Sequence, residues 1–196
     1  MKQQFIYFIF ALSLALAALS LQGCAPAIVA GSAAGAATVA TDKRSAGTII
    51  DDQAIEFRLA SKLQNDDDIA NNTNISITSY NHTVLITGEA PSQELKERVS
   101  QYANEDENIK QVHNEINVRE PLPFKARNYD TWLTTKIKTK LLTTKDINSF
   151  EVKVVTSNTT VYLLGLLSRQ EADMVARTIA EVKGVSRIVK AFEYTD

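Results

Sequence analysis

Apolar residues recur at spacing four over Ile55, Leu59 and Leu63, and again over Leu133, Ile137 and Leu141, which predicts one amphipathic helix in each half of the chain. Strict alternation at Ile75 and Ile77, then at Val84 and Ile86, predicts two strands around a turn at Tyr80-Asn81-His82. Pro91 opens a second helix carrying Leu95, Val99 and Tyr102, with acidic residues in and after it. Val112, Ile116 and Val118 make a third strand. The same order follows downstream: helix 129–142, strand 151–156, strand 160–165, helix 168–182, strand 185–193. Each pattern reads αββαβ.

The two halves are a repeat. Lys62-Leu63 with Asp68-Ile69 returns as Lys140-Leu141 with Asp146-Ile147, and Thr83-Val84-Leu85-Ile86-Thr87-Gly88 as Thr160-Val161-Tyr162-Leu163-Leu164-Gly165. More weakly, Lys110-Gln111-Val112 returns as Ser186-Arg187-Ile188. The segment Arg119 to Asn128, with two prolines, links the copies. This helix, a hairpin ending in Val-x-Leu/Ile-x-Gly at Gly88 and Gly165, a second helix and a last strand resemble the BON domain. The resemblance covers residues 48–195 and implies an α+β fold of two tandem BON domains, 48–118 and 129–195, each a small mixed sheet packed on two helices. Both glycines are expected where a strand turns into a loop and a Cβ is unwelcome.

The first 24 residues stand outside this pattern. A short positive start at Met1-Lys2 precedes an apolar or small-residue run from Phe5 to Leu21, too short for a stop-transfer span and typical of a secretory signal, 1–23. Leu21-Gln22-Gly23-Cys24 resembles the lipobox of bacterial lipoproteins, although Gln22 stands where Ala or Ser is common. That resemblance implies that Cys24 becomes the lipidated N-terminus; the plainer reading is a secretory signal with an incidental cysteine. Several acyl chains at Cys24 would hold the protein stably where one would not. Ala25 rather than Asp follows it, which by resemblance to Gram-negative sorting implies the outer membrane, facing the periplasm. Residues 24–47 read as a flexible tether reaching roughly 25–30 Å on average.

Charge divides the copies. Residues 48–121 carry 14 acidic and 6 basic side chains, net −8, whereas 122–196 carry 8 acidic and 12 basic, net +4. The first is expected to be repelled by an anionic membrane and the second attracted. The overall net charge of −2 gives no reason to expect nucleic-acid binding.

Candidate chemistry is sparse. The one cysteine is taken by the anchor, so no disulfide, thiol nucleophile or cysteine metal site remains. His82 and His113 have no ligand-spaced partner, no Ser-His-Asp grouping is suggested, and no glycine-rich phosphate loop occurs. Asp66-Asp67-Asp68 lacks the alternation and terminal Glu of a calcium loop and reads as a solvated helix-end loop. No enzyme, metal or cofactor is expected.

Trp132, the only tryptophan, falls off the Leu133 stripe and aligns with Ala54 of the first copy. On a helix wheel it shares a face with Lys136 and Thr139, with Thr135, Lys140 and Leu142 at the edges. Tryptophan favours the membrane–water interface and lysine pairs with lipid phosphate, so this face is the candidate site for an anionic phospholipid membrane. The alternative is that Trp132 packs on the other copy or on the Pro121–Pro123 linker. Resemblance to dual-BON outer-membrane lipoproteins implies lipid binding by the second domain, support of outer-membrane integrity and association with the outer-membrane barrel-assembly machinery. The competing class is an envelope protein-interaction adaptor without lipid recognition; a hydrolase is remote.

Overall fold

A computed structural model describes residues 42–196, so Cys24, the signal and most of the tether lie outside the described residues. The first copy comprises α1 (Ala46–Gln64), α2 (Asp67–Asn72), β1 (Asn74–Tyr80), β2 (Thr83–Ala90), α3 (Gln93–Asn104) and β3 (Gln111–Val118). The second comprises α4 (Phe124–Thr143), a 3-10 turn (Ser149–Glu151), β4 (Lys153–Ser157), β5 (Thr160–Leu167), α5 (Arg169–Ala180) and β6 (Arg187–Tyr194). Each copy folds a three-stranded mixed sheet, in which the central strand pairs antiparallel with the hairpin strand and parallel with the last. The α+β fold that the resemblance implies is the one observed.

The repeated apolar stripes fill two equivalent cores. Ile55, Leu59 and Leu63 pack under Val84 and Ile86 with Leu95 and Val99, while Leu133, Ile137 and Leu141 pack under Val161 and Leu163 with Val175 and Ile179. Serine caps begin three helices: Ser45 accepts from Thr48 N, Ser92 from Leu95 N, and Ser168 from Glu171 N, whose carboxylate reaches back to Ser168 N in a capping box.

One device recurs in both copies and ties the first helix to the hairpin. Each hairpin turns through two residues with positive φ, Asn81 and His82 at 52° and 65°, Asn158 and Thr159 at 48° and 58°. Their N–H groups point into the fold and need an acceptor. Asp52 accepts from both Asn81 N and His82 N at 2.8 Å, and Asp130 accepts from Asn158 N at 2.8 Å and Thr159 N at 2.9 Å. Both carboxylates are buried, which a charge tolerates only when bonded in this way.

Several boundaries differ from the sequence reading. The Asp66–Asp68 segment is not a loop: the Asp66 carboxylate caps α2 by accepting from Asp68 N and Ile69 N, with Asp67 and Asp68 in the first turn, where negative charge favours a helix N-terminus. Helix α4 starts at Phe124 rather than 129, because Pro123 pre-sets the entry and the following residues continue as good helix formers. Gly88 and Gly165 lie inside β2 and β5, not at their ends. A Cβ is nonetheless excluded at both, since it would fall 1.9 Å from the Asn74 carbonyl oxygen at Gly88 and 2.5 Å from that of Glu151 at Gly165. The end of the segment read as a tether also packs onto the fold. Arg44 pairs with Asp42 and Asp52 at 2.8 Å and stacks 3.8 Å over the Tyr80 ring, and Lys43 pairs with Glu151 at 2.9 Å.

The sheet faces turned away from the two cores meet each other. Tyr80 and Leu85 of the first copy cluster with Tyr162 and Leu164 of the second. Polar contacts ring this cluster: Asn81 Nδ2 donates to Glu193 at 2.6 Å, and Arg187 pairs with Glu115 at 3.6 Å. Burial here pushes the Tyr80 phenol up to about 12, with the Asp42 carboxylate adding to the shift.

The turn clasp makes a specific demand on stability. Asp130→Ala leaves the Asn158 and Thr159 N–H groups without their acceptor and is expected to cost about 2–4 kcal/mol, read as a lower urea midpoint at unchanged slope. A loss below about 0.5 kcal/mol would show that the turn holds without the carboxylate.

Candidate functional site

Helix α4 builds the site. Its buried side carries Asp130, Leu133, Ile137 and Leu141, and the same 3.6-residue geometry sends Trp132, Thr135 and Thr139 to the surface. Trp132 is 52 % exposed. Its ring lies 5.4 Å from that of Tyr129 on the same helix, tilted by 37°, and the Lys136 ammonium sits 5.0 Å from the tryptophan centroid. About half of the side chain meets solvent, and Tyr129 and Lys136 of its own helix lie against the ring.

Lys136 is held rather than free. Its Nζ donates to the Lys183 carbonyl oxygen at 2.9 Å, so the charge is fixed beside the indole at the turn between α5 and β6. That contact satisfies one donor with a neutral acceptor and leaves the positive charge uncompensated by it. Lys140 differs, because it pairs with Glu181 at 3.5 Å across an exposed gap. Such an exposed pair is worth little and yields readily to a competing anion. Thr135 and Thr139 bond back to the carbonyls of Thr131 and Thr135 at 3.0 Å, which keeps their methyl groups on the outer surface. Leu142 is 60 % exposed at the far end of the face, beside the fully buried Leu141.

Sequence reasoning missed Tyr129 and the turn that carries Lys183 and Gly184. Tyr129 was legible, since it precedes Trp132 by three residues and therefore neighbours it on a helix. The turn was not, because it comes from a distant segment. Gly184 adopts φ +110°, and a Cβ there would stand 2.6 Å from the Tyr129 hydroxyl, so a glycine is what lets the tyrosine lie over the turn. Beyond Tyr129 the face continues into an open groove of about 390 Å³ lined by Leu122, Pro123, Lys125, Ala126, Asn158 and Thr159.

The arrangement is an apolar ring pair flanked by lysines on a net-positive copy, suited to a surface rather than to a reacting molecule. Among the described residues no cluster of histidine, cysteine and carboxylate side chains could hold a metal ion. No helix among them is long and apolar enough to cross a membrane.

Two BON-domain matches, over residues 51–120 and 129–196, coincide with the two copies, and the chain belongs to the BON-domain family. It is 34% identical over 180 residues to the outer membrane lipoprotein DolP of Haemophilus influenzae, covering 92% of this chain and 93% of that protein. A 21 kDa hemolysin of Actinobacillus pleuropneumoniae is 37% identical over 78% of this chain and 79% of its own length. The osmotically-inducible protein Y of Escherichia coli is 30% identical over 74% of each chain. With both domains matched, and near-complete coverage of the Haemophilus protein, this is a dual-BON protein of the DolP type. The likeness supports an outer-membrane lipoprotein of the BON family, and none of these three relatives is named as an enzyme.

Because Trp132 is the only tryptophan, its fluorescence reports this face alone. Acrylamide should quench the folded chain at roughly half the rate of the urea-unfolded chain, in line with a half-exposed ring. Protection close to that of a buried indole would remove Trp132 from the surface.

Proposed function

We propose that the protein is a non-enzymatic outer-membrane lipoprotein, anchored through Cys24 and facing the periplasm, that rests the α4 face of its second BON domain on anionic phospholipid and so supports outer-membrane integrity. The observation that carries this reading is the half-exposed Trp132, its ring tilted against that of Tyr129 and flanked by the pinned Lys136. An indole placed this way buries its ring at the level of the headgroups while its N–H stays hydrated. Lys136, Lys183 and Lys125 then lie where lipid phosphates are, each contributing about 1 kcal/mol near an anionic surface. The Lys140–Glu181 pair adds little until a phosphate replaces the carboxylate. Leu142, with Thr135 and Thr139, supplies the remaining uncharged surface of the face.

The division of charge favours the same orientation. The first domain, at net −8, is pushed from an anionic surface that draws the second, at net +4. Binding of one face is weak by itself, but a lipid anchor on the same chain makes the second contact intramolecular and raises its effective concentration to the millimolar range. Association with the barrel-assembly machinery belongs to the same proposal by family likeness only.

Vesicle flotation tests the lipid reading. The soluble chain from Ala25 should float with vesicles containing phosphatidylglycerol and not with phosphatidylcholine vesicles, and less so as salt rises, because exposed charges are screened within about 8–10 Å at physiological ionic strength. Trp132→Glu should abolish flotation with the urea midpoint unchanged, and Lys136→Glu should weaken it and flatten its salt dependence. Retained flotation by a folded Trp132→Glu protein would refute the interfacial role.

Anchoring is tested separately. Cys24→Ala should abolish outer-membrane fractionation and leave a soluble or uncleaved product. Unchanged fractionation after a high-salt wash would show that lipidation at Cys24 is not the anchor.

A further inference from the structure

Strand β1 is an edge strand of the first sheet, and its outward side is largely open. The two-residue hairpin closes on the pair Tyr80–Thr83, so in the antiparallel ladder residues 80, 78, 76 and 74 bond to β2, and residues 79, 77 and 75 turn their N–H and C=O groups away from it. Ser79 confirms this phase, because its N–H donates outward to Glu56 Oε1 at 2.8 Å. Among the described residues no bond outside the ladder reaches the backbone of Ile75 or Ile77. Proteins usually blunt such an edge with lysine, proline or a covering element; here Glu56 meets one end and Arg127 of α4 donates to the Asn74 side chain at the other at 3.0 Å, and the middle, Ile75 to Ile77, is left open.

A groove of about 180 Å³ runs alongside, lined by Ala60, Leu63, Ile69, Ala70, Ile75 and Ile77 together with the polar Gln64 and Thr73. Its outer lip is the exposed face of α1. Ile50 and Phe57 are 65 % and 74 % exposed, the two highest values among the exposed large apolar residues described, and they stand seven residues apart on one side of the helix. The stripe formed by Ile50, Phe57, Ser61 and Gln64 carries no charge, and it has two large apolar side chains where the corresponding α4 positions, Asn128, Thr135, Thr139 and Leu142, have one. Exposed Asp67 in α2 stands just before β1 and Glu56 at the far end, whereas Asp68 is already paired with Arg98 at 3.1 Å.

We propose that this edge and groove receive an extended polypeptide segment of a partner protein, alternately apolar and basic, as a fourth strand beside β1. Main-chain bonds to Ile75 and Ile77 supply affinity, every second side chain enters the groove below Phe57, and lysine or arginine at the intervening positions meets Asp67 and Glu56. Charge selects this occupant. A lipid surface is disfavoured by the net −8 of the domain, and a second copy of the chain would set the same carboxylates against one another across the paired edges. The second domain offers no equal site: β4 has five residues, follows a 3-10 turn, and has its Thr156 hydroxyl bonded to Thr134 on α4 at 2.8 Å. The inference does not depend on the lipid reading.

The probe is a short, end-blocked peptide alternating Lys and Val, titrated into the nitrogen-labelled soluble chain from Ala25, which retains both cores. Ile75 and Ile77 amides should shift and gain protection from hydrogen exchange, with the Trp132 side-chain signal unmoved. Phe57→Asp should weaken peptide binding about tenfold or more, as removal of a central apolar anchor does, while leaving flotation with phosphatidylglycerol vesicles unchanged. A peptide alternating Glu and Val should bind far more weakly, and N-methylation at alternate residues of the Lys peptide should abolish binding. Equal binding by the N-methylated peptide would overturn strand addition in favour of charge attraction alone. Equal binding by the Glu peptide, or a concentration-dependent dimer that protects the β1 amides without peptide, would overturn the proposed occupant.

Discussion

The central strands of both sheets are buried on both faces, and the rest of the molecule is arranged around that constraint. In β2 the residues Val84 and Ile86 face one core, while Leu85, Thr87 and Glu89 on the opposite face are equally enclosed. In β5 the residues Val161 and Leu163 point to the other core, while Tyr162 and Leu164 meet the first domain. Helices cover only one side of each sheet. A strand paired in parallel and apolar on both sides requires cover on both, and here each domain supplies the missing layer of the other. The tandem repeat is thus a physical necessity for this sequence rather than two beads on a string.

Polar groups that enter this interior are all used. Asp52 and Asp130 hold the hairpin turns, and Asp52 further accepts from the Ser79 hydroxyl at 2.7 Å and pairs with Arg44. Glu89, buried in β2, is met by the Asn74 amide at 2.9 Å and the Leu122 N–H at 3.5 Å, which draws the start of the linker onto the first domain. Residues 42–44 close the same junction from the N-terminal side, Arg44 on the first domain and Lys43 on Glu151 and Glu171 of the second. Among the described residues no buried side-chain polar atom lacks a partner. Burial that costs so much unless satisfied favours one arrangement of the domains over others.

With the inner faces spent on each other, the outer faces of the first helices are left to solvent. The two helices are equivalent in their cores and differ outside: Trp132 and Tyr129 of α4 stand where α1 has Ala54 and Asp51, and Lys136 and Lys140 where α1 has Arg58 and Lys62, which pair with Asp106 and Glu105, while α1 exposes Ile50 and Phe57. Duplication followed by divergence on a solvent face changes partners without disturbing packing, because the stripe at Ile55, Leu59 and Leu63 is independent of what stands a third of a turn away.

Read alone, the sequence determined the local elements, the repeat, the core stripes and that Trp132 falls off the core stripe, since each is written in spacing of two or four residues or in a short turn signature. It also located the charge split, which is a matter of counting. Helix α2 escaped it because six residues are too few to show a period, and the early start of α4 because capping by Pro123 leaves no side-chain signature. What only the tertiary structure decided is how the second faces of the sheets are covered, why Gly88 and Gly165 must lack a Cβ in mid-strand, and that Lys136 is tied to Lys183. Those depend on atoms brought together from segments far apart in the chain, where no periodicity reports the meeting. A residue such as Leu85 shows that it is apolar, but not which of two possible surfaces will bury it.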